Sequence, residues 1–154
     1  MPIDLYALMR EALGEAKKGF SQGEVPVGAV LAGLDGQIVS RAHNQPIRLT
    51  DPTAHAEILA IRKAALLCGN YRLVDTVLVV TVEPCPMCMG AVINARISRL
   101  VFGTADLKAG AAGSVYDLVS DRLLNHSVEV TSGIMESECR ALIQDFFHMR
   151  RGKP

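Results

Sequence analysis

The 154-residue chain has no net charge, no long apolar run and no internal repeat. Its 16 Lys and Arg residues balance 16 Asp and Glu residues. A zero balance does not exclude a nucleic-acid partner, because phosphate binding needs a local basic patch and not a global excess. No apolar segment approaches the roughly 20 residues that a membrane-spanning helix needs, so no membrane association is expected. The N-terminus lacks a secretory pattern, since Asp4 and Glu11 fall within a helical periodicity. A cytoplasmic location is expected. Disulfides are not required for stability, because a chain of this length buries roughly 70% of its unfolded surface. A hydrophobic content of 49% with 21% charged residues is ordinary for a globular protein, and a single domain over residues 1–154 is expected.

Helical spacing of Leu5, Leu8, Met9, Ala12, Leu13 and Ala16 predicts a helix over residues 4–20. Val25 to Leu31, apolar and rich in β-branched residues, predicts a buried strand. Gly33-Leu34-Asp35-Gly36 predicts a hairpin turn, with Gln37 to Ala42 as the antiparallel partner. His43 to Pro46 is expected as loop. A second helix is expected over residues 54–68, Thr76 to Val82 as a central strand and Pro86 to Asn94 as a short helix. Ile97 to Phe102 and Ser127 to Thr131 complete the strands, with a Gly- and Ala-rich loop over residues 103–114 between them. Glu136 to Arg150 predicts a closing helix, with Cys139, Leu142, Ile143, Phe146 and Phe147 on its apolar side. A helix, a hairpin, then strand–helix alternation together predict an α/β sandwich with one mixed sheet.

The chemistry is concentrated in His55-Ala56-Glu57 and Pro84-Cys85-Pro86-Met87-Cys88. Four cysteines allow two disulfides, but C-x-x-C with a histidine upstream points to metal binding in a reducing compartment. One imidazole and two thiolates are donors that zinc takes in a catalytic site, leaving the fourth tetrahedral position for water. Cys85 and Cys88 share one face of a helix at its first turn, where free N–H groups and the macrodipole favour anions and lower a thiol pKa. Pro86 falls where a missing N–H costs nothing. His55 also begins a helix, and it meets the cysteines if both helices start on one edge of the sheet. Two residues along a helix differ by about 200°. His55 and Glu57 therefore converge only in an irregular first turn, and there the carboxylate is placed to move a proton of the water. Each feature has a plainer reading on its own: a structural C-x-x-C or a pair of core cysteines, a helix-start histidine, a carboxylate complementing a helix N-terminus. In combination they predict an open zinc site with Glu57 beside it. Cys68 and Cys139 lie on apolar helix faces and are expected as core thiols. Neither these nor His43, His126 and His148 follow zinc-finger spacing, so a fourth protein ligand is not expected.

H-x-E followed by P-C-x-x-C is the signature of zinc nucleobase deaminases. The stretches Glu24 to Val30, Asp51 to Glu57 and Glu83 to Ala91 resemble the cytidine deaminase superfamily. Val101 to Ser114, Asn125-His126 with Val128-Glu129-Val130, and Asp145 to Arg151 are similar to the bacterial tRNA-specific adenosine deaminases. The resemblance holds in matching order from about residue 4 to residue 151. It implies a three-layer α/β/α sandwich with a five-stranded mixed sheet, cytidine deaminase-like, and a homodimer with active sites near the subunit interface. It implies one Zn2+ per subunit, held by His55, Cys85 and Cys88, with Glu57 as proton shuttle. The implied reaction is hydrolytic deamination of adenosine to inosine at the wobble position of a tRNA anticodon. By the same resemblance Asn44 contacts the flipped nucleoside, and Val27, Ala54 and Pro84 line the base pocket. Asp106 and Lys108, with Phe147, Arg150 and Arg151, lie near the anticodon stem-loop, and Pro46 to Arg48 is a further candidate RNA contact.

Taken without the resemblance, these last residues have simpler roles. Asn44 suits a turn cap. Phe146 and Phe147 suit a core, Asp106 suits a turn, and Arg150, Arg151 and Lys153 suit a solvated basic tail. A basic tail after an aromatic pair also suits phosphate contact and base stacking. Two other functions share the zinc chemistry or the fold. One is a deaminase of a free nucleobase or nucleoside (cytosine, cytidine or guanine), against which the basic, aromatic C-terminal helix argues. The other is a zinc-stabilised RNA-binding subunit, which has no need of Glu57.

Overall fold

Strands that are apolar on both faces need cover on both sides. The structure, a computed structural model, describes residues 2–120 and 126–152. Asn125 and Lys153 lie outside the described residues. The chain runs α1 (Leu5–Ser21), β1 (Gly28–Gly33), β2 (Ile38–His43), α2 (Pro46–Leu49), α3 (Ala56–Cys68), β3 (Thr76–Val82), α4 (Pro86–Asn94), β4 (Arg99–Thr104), β5 (Glu129–Ser132) and α5 (Glu136–Arg151). The strands form one five-stranded mixed sheet in the order β2-β1-β3-β4-β5. β1 is antiparallel to β2 and β3, whereas β3, β4 and β5 run parallel.

The two-residue period of the strands sorts the core into two layers. Leu31, Leu78, Val80, Leu100 and Phe102 pack with Leu59 and Ala60 of α3 and Met89 and Val92 of α4. Val30, Ala32, Val77, Val79 and Val101 pack on the other face with Leu8, Met9 and Leu13 of α1 and Cys139 of α5. Full burial of a Val or Leu side chain stabilises by roughly 1.5–3 kcal/mol, so both faces contribute. α1 approaches β1 so closely that a Cβ on Gly28 would lie 1.9 Å from the carbonyl oxygen of Ala12. The expected α/β/α sandwich is observed.

Several expectations change in detail. β1 begins at Gly28 and not at Val25, because Pro26 has no N–H to pair and the Val27 N–H turns back to the Val25 carbonyl at 2.8 Å. The loop expected over His43 to Pro46 ends at Gln45, because Pro46 opens the first turn of α2. β4 begins at Arg99 and β5 at Glu129. Cys68, expected as a core thiol, is exposed. It ends α3, where Leu66 and Leu67 are exposed too, because the buried stripe of that helix runs through Leu59, Ala60 and Ala64. Cys139 is a core thiol as expected, and burial pushes its thiol up to about 12.

The sheet order places the site. β1 is antiparallel to both neighbours, so β2 and β3 point the same way. The ends of β2 and β3 therefore share one edge, and α3 and α4 both start from it.

Candidate active site

His55 and Cys85 occupy the same position on two different helices. Each is the residue before the first helical turn, with extended backbone: φ −72° and ψ 153° for His55, φ −76° and ψ 174° for Cys85. Neither side chain caps its own helix, so both are free to point at the space between the helix ends. Pro86 follows Cys85 in the first turn and Cys88 lies one turn on. The positive ends of two helices thus converge where two thiols sit, which favours the thiolate form that binds metal.

The His55 Nδ1 lies 3.6 Å from Cys85 Sγ and 3.5 Å from Cys88 Sγ. All three donor atoms fall within 4.8 Å of one another, and among the described residues no fourth His, Cys, Asp or Glu joins them. A tetrahedral zinc with Zn–N near 2.0–2.1 Å and Zn–S near 2.3 Å separates nitrogen from sulfur by about 3.5–3.6 Å. The residues therefore fit zinc with one position left open. His126 instead pairs its Nε2 with the Ile97 carbonyl at 2.7 Å, and His43 lies 3.1 Å from Gln22 Oε1. A hydrogen bond from Cys88 lowers the Cys85 thiol to about 4 with help from His55, against the opposing effect of burial. The same bond and burial push Cys88 up. Contact with Cys85 raises His55.

Glu57 is in the first turn of α3 and is only 4% exposed. The extended backbone at His55 breaks the helical rotation between the two residues, which is how both come to face the site. Burial pushes the Glu57 carboxyl up to about 7, while His55 and the Cys88 thiol act in the other direction. A carboxyl in that range both accepts and returns a proton near neutral pH.

Asn44 is buried, and its Oδ1 accepts from the Ala56 N–H at 2.7 Å. It caps α3 in place of His55, which leaves the imidazole free for metal. Asn44 also ties the site to Val27, whose carbonyl accepts the Asn44 N–H at 3.1 Å. Ala54 is fully buried beside His55, and Pro84 is buried beside Cys85. Val27, Thr104, Asp106, Lys108 and Phe147 help to line a cavity of about 530 Å³. A neighbouring cavity of about 610 Å³ shares Lys108 and Phe147 and adds Arg150 and Arg151. Asp106, Lys108, Phe147, Arg150 and Arg151 thus line adjoining cavities, whose walls do not include Pro46 to Arg48, His55, Cys85 or Cys88. Phe146 is core, 1% exposed and edge-to-face with Phe20, but Phe147 is 44% exposed. Arg150 stacks over Phe146 and donates to the Gly23 carbonyl at 3.3 Å. Ile47 and Arg48 are exposed on α2.

Besides Glu15, which pairs with Lys18 on α1, two buried carboxylates escape the sequence reading. Glu24 accepts from the Ile47 and Arg48 N–H groups at 3.2 and 2.8 Å and so holds α2. Glu83 accepts from the loop that carries Asp106. The only local signal for either is an acid at the boundary of an apolar run, before it at Glu24 and after it at Glu83.

Residues 3–104 match the cytidine and deoxycytidylate deaminase zinc-binding region, which sets the class. With that region and the His–Cys–Cys cluster, the cofactor is zinc, one ion per chain. The chain is 48% identical over 144 residues to the tRNA-specific adenosine deaminase of Haemophilus influenzae, covering 94% of this chain and 83% of that one. It is 45% identical over 150 residues to the tRNA-specific adenosine deaminase of Bacillus subtilis, covering 97% and 91%. A structure solved in a study of A-to-I editing by tRNA:A34 deaminases at the wobble position of transfer RNA is 43% identical with a TM-score of 0.86, covering 88% of this chain and 98% of that one. The chain belongs to the tRNA-specific adenosine deaminase family.

Proposed function

We propose that the protein is a zinc-dependent hydrolase that converts adenosine to inosine at the wobble position of a tRNA anticodon. The cluster around Glu57 supports deamination as the chemistry. The likeness to tRNA-specific adenosine deaminases over nearly the whole chain carries the choice of substrate. His55, Cys85 and Cys88 hold the zinc. When bound, the metal supplies Lewis acidity that brings the pKa of a water to about 7. Glu57 takes a proton from that water and returns it to the adenine ring nitrogen. It then moves the remaining proton of the former water, from the oxygen now bonded to C6, to the exocyclic amine. The water oxygen ends bonded to C6, the C6–N bond breaks, and ammonia leaves. Asn44 holds the flipped nucleoside through its amide N–H2, and Val27, Ala54 and Pro84 shape the base pocket. Asp106, Lys108, Phe147, Arg150 and Arg151 receive the anticodon loop, with Pro46 to Arg48 on another side. Flipping a base costs less from a loop than from a duplex, where unstacking takes a few kcal/mol.

Residues 1–154 act as a single deaminase domain, in a homodimer, in the cytoplasm. Cysteine ligands that must stay reduced support a reducing compartment. No helix among the described residues is long and apolar enough to cross a membrane. The deciding experiment incubates the purified protein with transcribed tRNAs bearing a wobble adenosine and sequences the product for inosine. Unchanged tRNA alongside deamination of free cytosine, cytidine or guanine replaces this reading with a small-molecule deaminase.

A further inference from the structure

Glu83 is 3% exposed and stands between the end of β3 and the ligand Cys85. Carboxylates this deeply buried usually have a cationic partner, and none of the ion pairs among the described residues includes Glu83. Its partners are donors of a single loop. The Asp106 N–H donates to Oε1 at 3.1 Å, and the Ala112 and Ser114 N–H groups donate to Oε2 at 2.9 and 3.1 Å. The Ser114 hydroxyl also donates to Oε1. On either side the backbone closes the same junction: Glu83 N–H to the Thr104 carbonyl at 2.9 Å, and Ala111 N–H to the Pro84 carbonyl at 2.8 Å. The loop wraps so tightly that a Cβ on Gly110 would lie 2.4 Å from the Glu83 carboxyl carbon. Gly110 is not among the residues with positive φ, so what this position requires is space.

The same loop carries two of the groove residues. Asp106 Oδ1 accepts from the Lys108 and Ala109 N–H groups at 3.0 and 3.2 Å, which fixes the turn that leaves Lys108 exposed. Both residues line the cavity beside α5. One carboxylate therefore joins the metal-binding segment on its own chain side to the groove loop on the other. We propose that Glu83 is a positioning residue for substrate recognition, setting where Asp106 and Lys108 meet the RNA relative to the zinc ligand Cys85. This rests on the proposed reaction with tRNA.

Glu83→Gln keeps the size of the side chain but turns one acceptor into an N–H2 that faces donors. At least one loop donor then loses its acceptor, and the loop drifts while the ligands stay. The expected result is a rise of about tenfold in KM for a wobble-adenosine anticodon stem-loop, with kcat within about threefold of wild type and one zinc per chain retained. A loss of general stability moves folding and zinc content and does not separate KM from kcat in this way. Gly110→Ala presses on the same contacts from the loop side and is expected to raise KM alike, which keeps the test open if Glu83→Gln fails to fold. An unchanged KM in either folded variant overturns the inference. Loss of zinc or collapse of kcat at unchanged KM overturns it too, because Glu83 then acts on the metal or the chemistry. Wild-type protein that makes no inosine overturns the reaction itself, a result distinct from an active wild type with an indifferent Glu83.

Discussion

A carboxylate buried as deeply as Glu57 is costly to ionise unless a cation stands near it. Zinc held by His55, Cys85 and Cys88 would supply such a cation beside the carboxyl. The role of Glu57 is then separable from metal binding, because Glu57 supplies none of the three ligand atoms. Glu57→Ala is expected to keep one zinc per chain by metal analysis while inosine formation falls at least about 10²-fold, within the usual reach of general acid–base catalysis. Near-normal turnover by this variant would sink the proton-shuttle role. Asn44 allows a finer separation, since its two amide atoms have different tasks. Its Oδ1 caps α3, and its N–H2 is the group that the proposed reaction assigns to the nucleoside. Asn44→Ala loses the cap and is expected to cost about 1 kcal/mol of stability in denaturant unfolding. Asn44→Asp keeps an acceptor for the Ala56 N–H and so keeps stability, but it has no N–H2 to offer and loses activity. If Asn44→Asp remains active, capping is the whole of the residue's contribution.

The short helix α2 shows how much one buried acid does for a local element. Four residues cannot sustain a helix by propagation alone, and α2 persists because Glu24, 1% exposed, takes the Ile47 and Arg48 N–H groups. Glu24→Ala is expected to cost about 1–3 kcal/mol through unsatisfied donors. Amide exchange should accelerate at Ile47 and Arg48 while the amides of β3 stay protected; unchanged exchange at those two positions shows that α2 stands without Glu24. Neither Glu24 nor Glu83 is legible from sequence, because their partners lie 23 to 31 residues further along the chain. The zinc site is legible for the opposite reason: C-x-x-C spans one helical turn, and H-x-E fixes ligand and carboxylate within a single helix start. The apolar runs of β3 and β4 likewise announce strands covered on both faces. Cys68 misleads because α3 carries more apolar residues than one stripe buries, and Leu66 and Leu67 beside it are exposed. The strand before β2 is displaced at both ends from the expected Val25 to Leu31: Pro26 interrupts the ladder without interrupting the hydrophobic run, and pairing continues past Leu31 through Ala32 and Gly33.

At the scale of the whole molecule a formal charge of zero has to be reconciled with a polyanionic substrate. The answer lies in placement: Lys108, Arg150 and Arg151 line one groove with exposed Phe147, while the acids of Glu24, Glu57 and Glu83 are buried. Removing the groove by cutting the chain at Phe146 is a poor test, because Phe146 is 1% exposed and packs on Phe20, so the cut damages the core. Arg150 is also compromised, since it bonds Gly23 and stacks on Phe146. Lys108, Arg151 and Phe147 are the clean probes. Each phosphate contact to a single strand contributes about 0.7 to the slope of log K against log salt. Lys108→Ala and Arg151→Ala are each expected to flatten that slope by about this amount in equilibrium binding to an anticodon stem-loop. Phe147→Ala removes a stacking surface worth about 1–3 kcal/mol per base and leaves the slope as it is. If all three variants bind with the wild-type slope and affinity, the RNA does not occupy this groove, and the anticodon must approach the zinc from the side of α2.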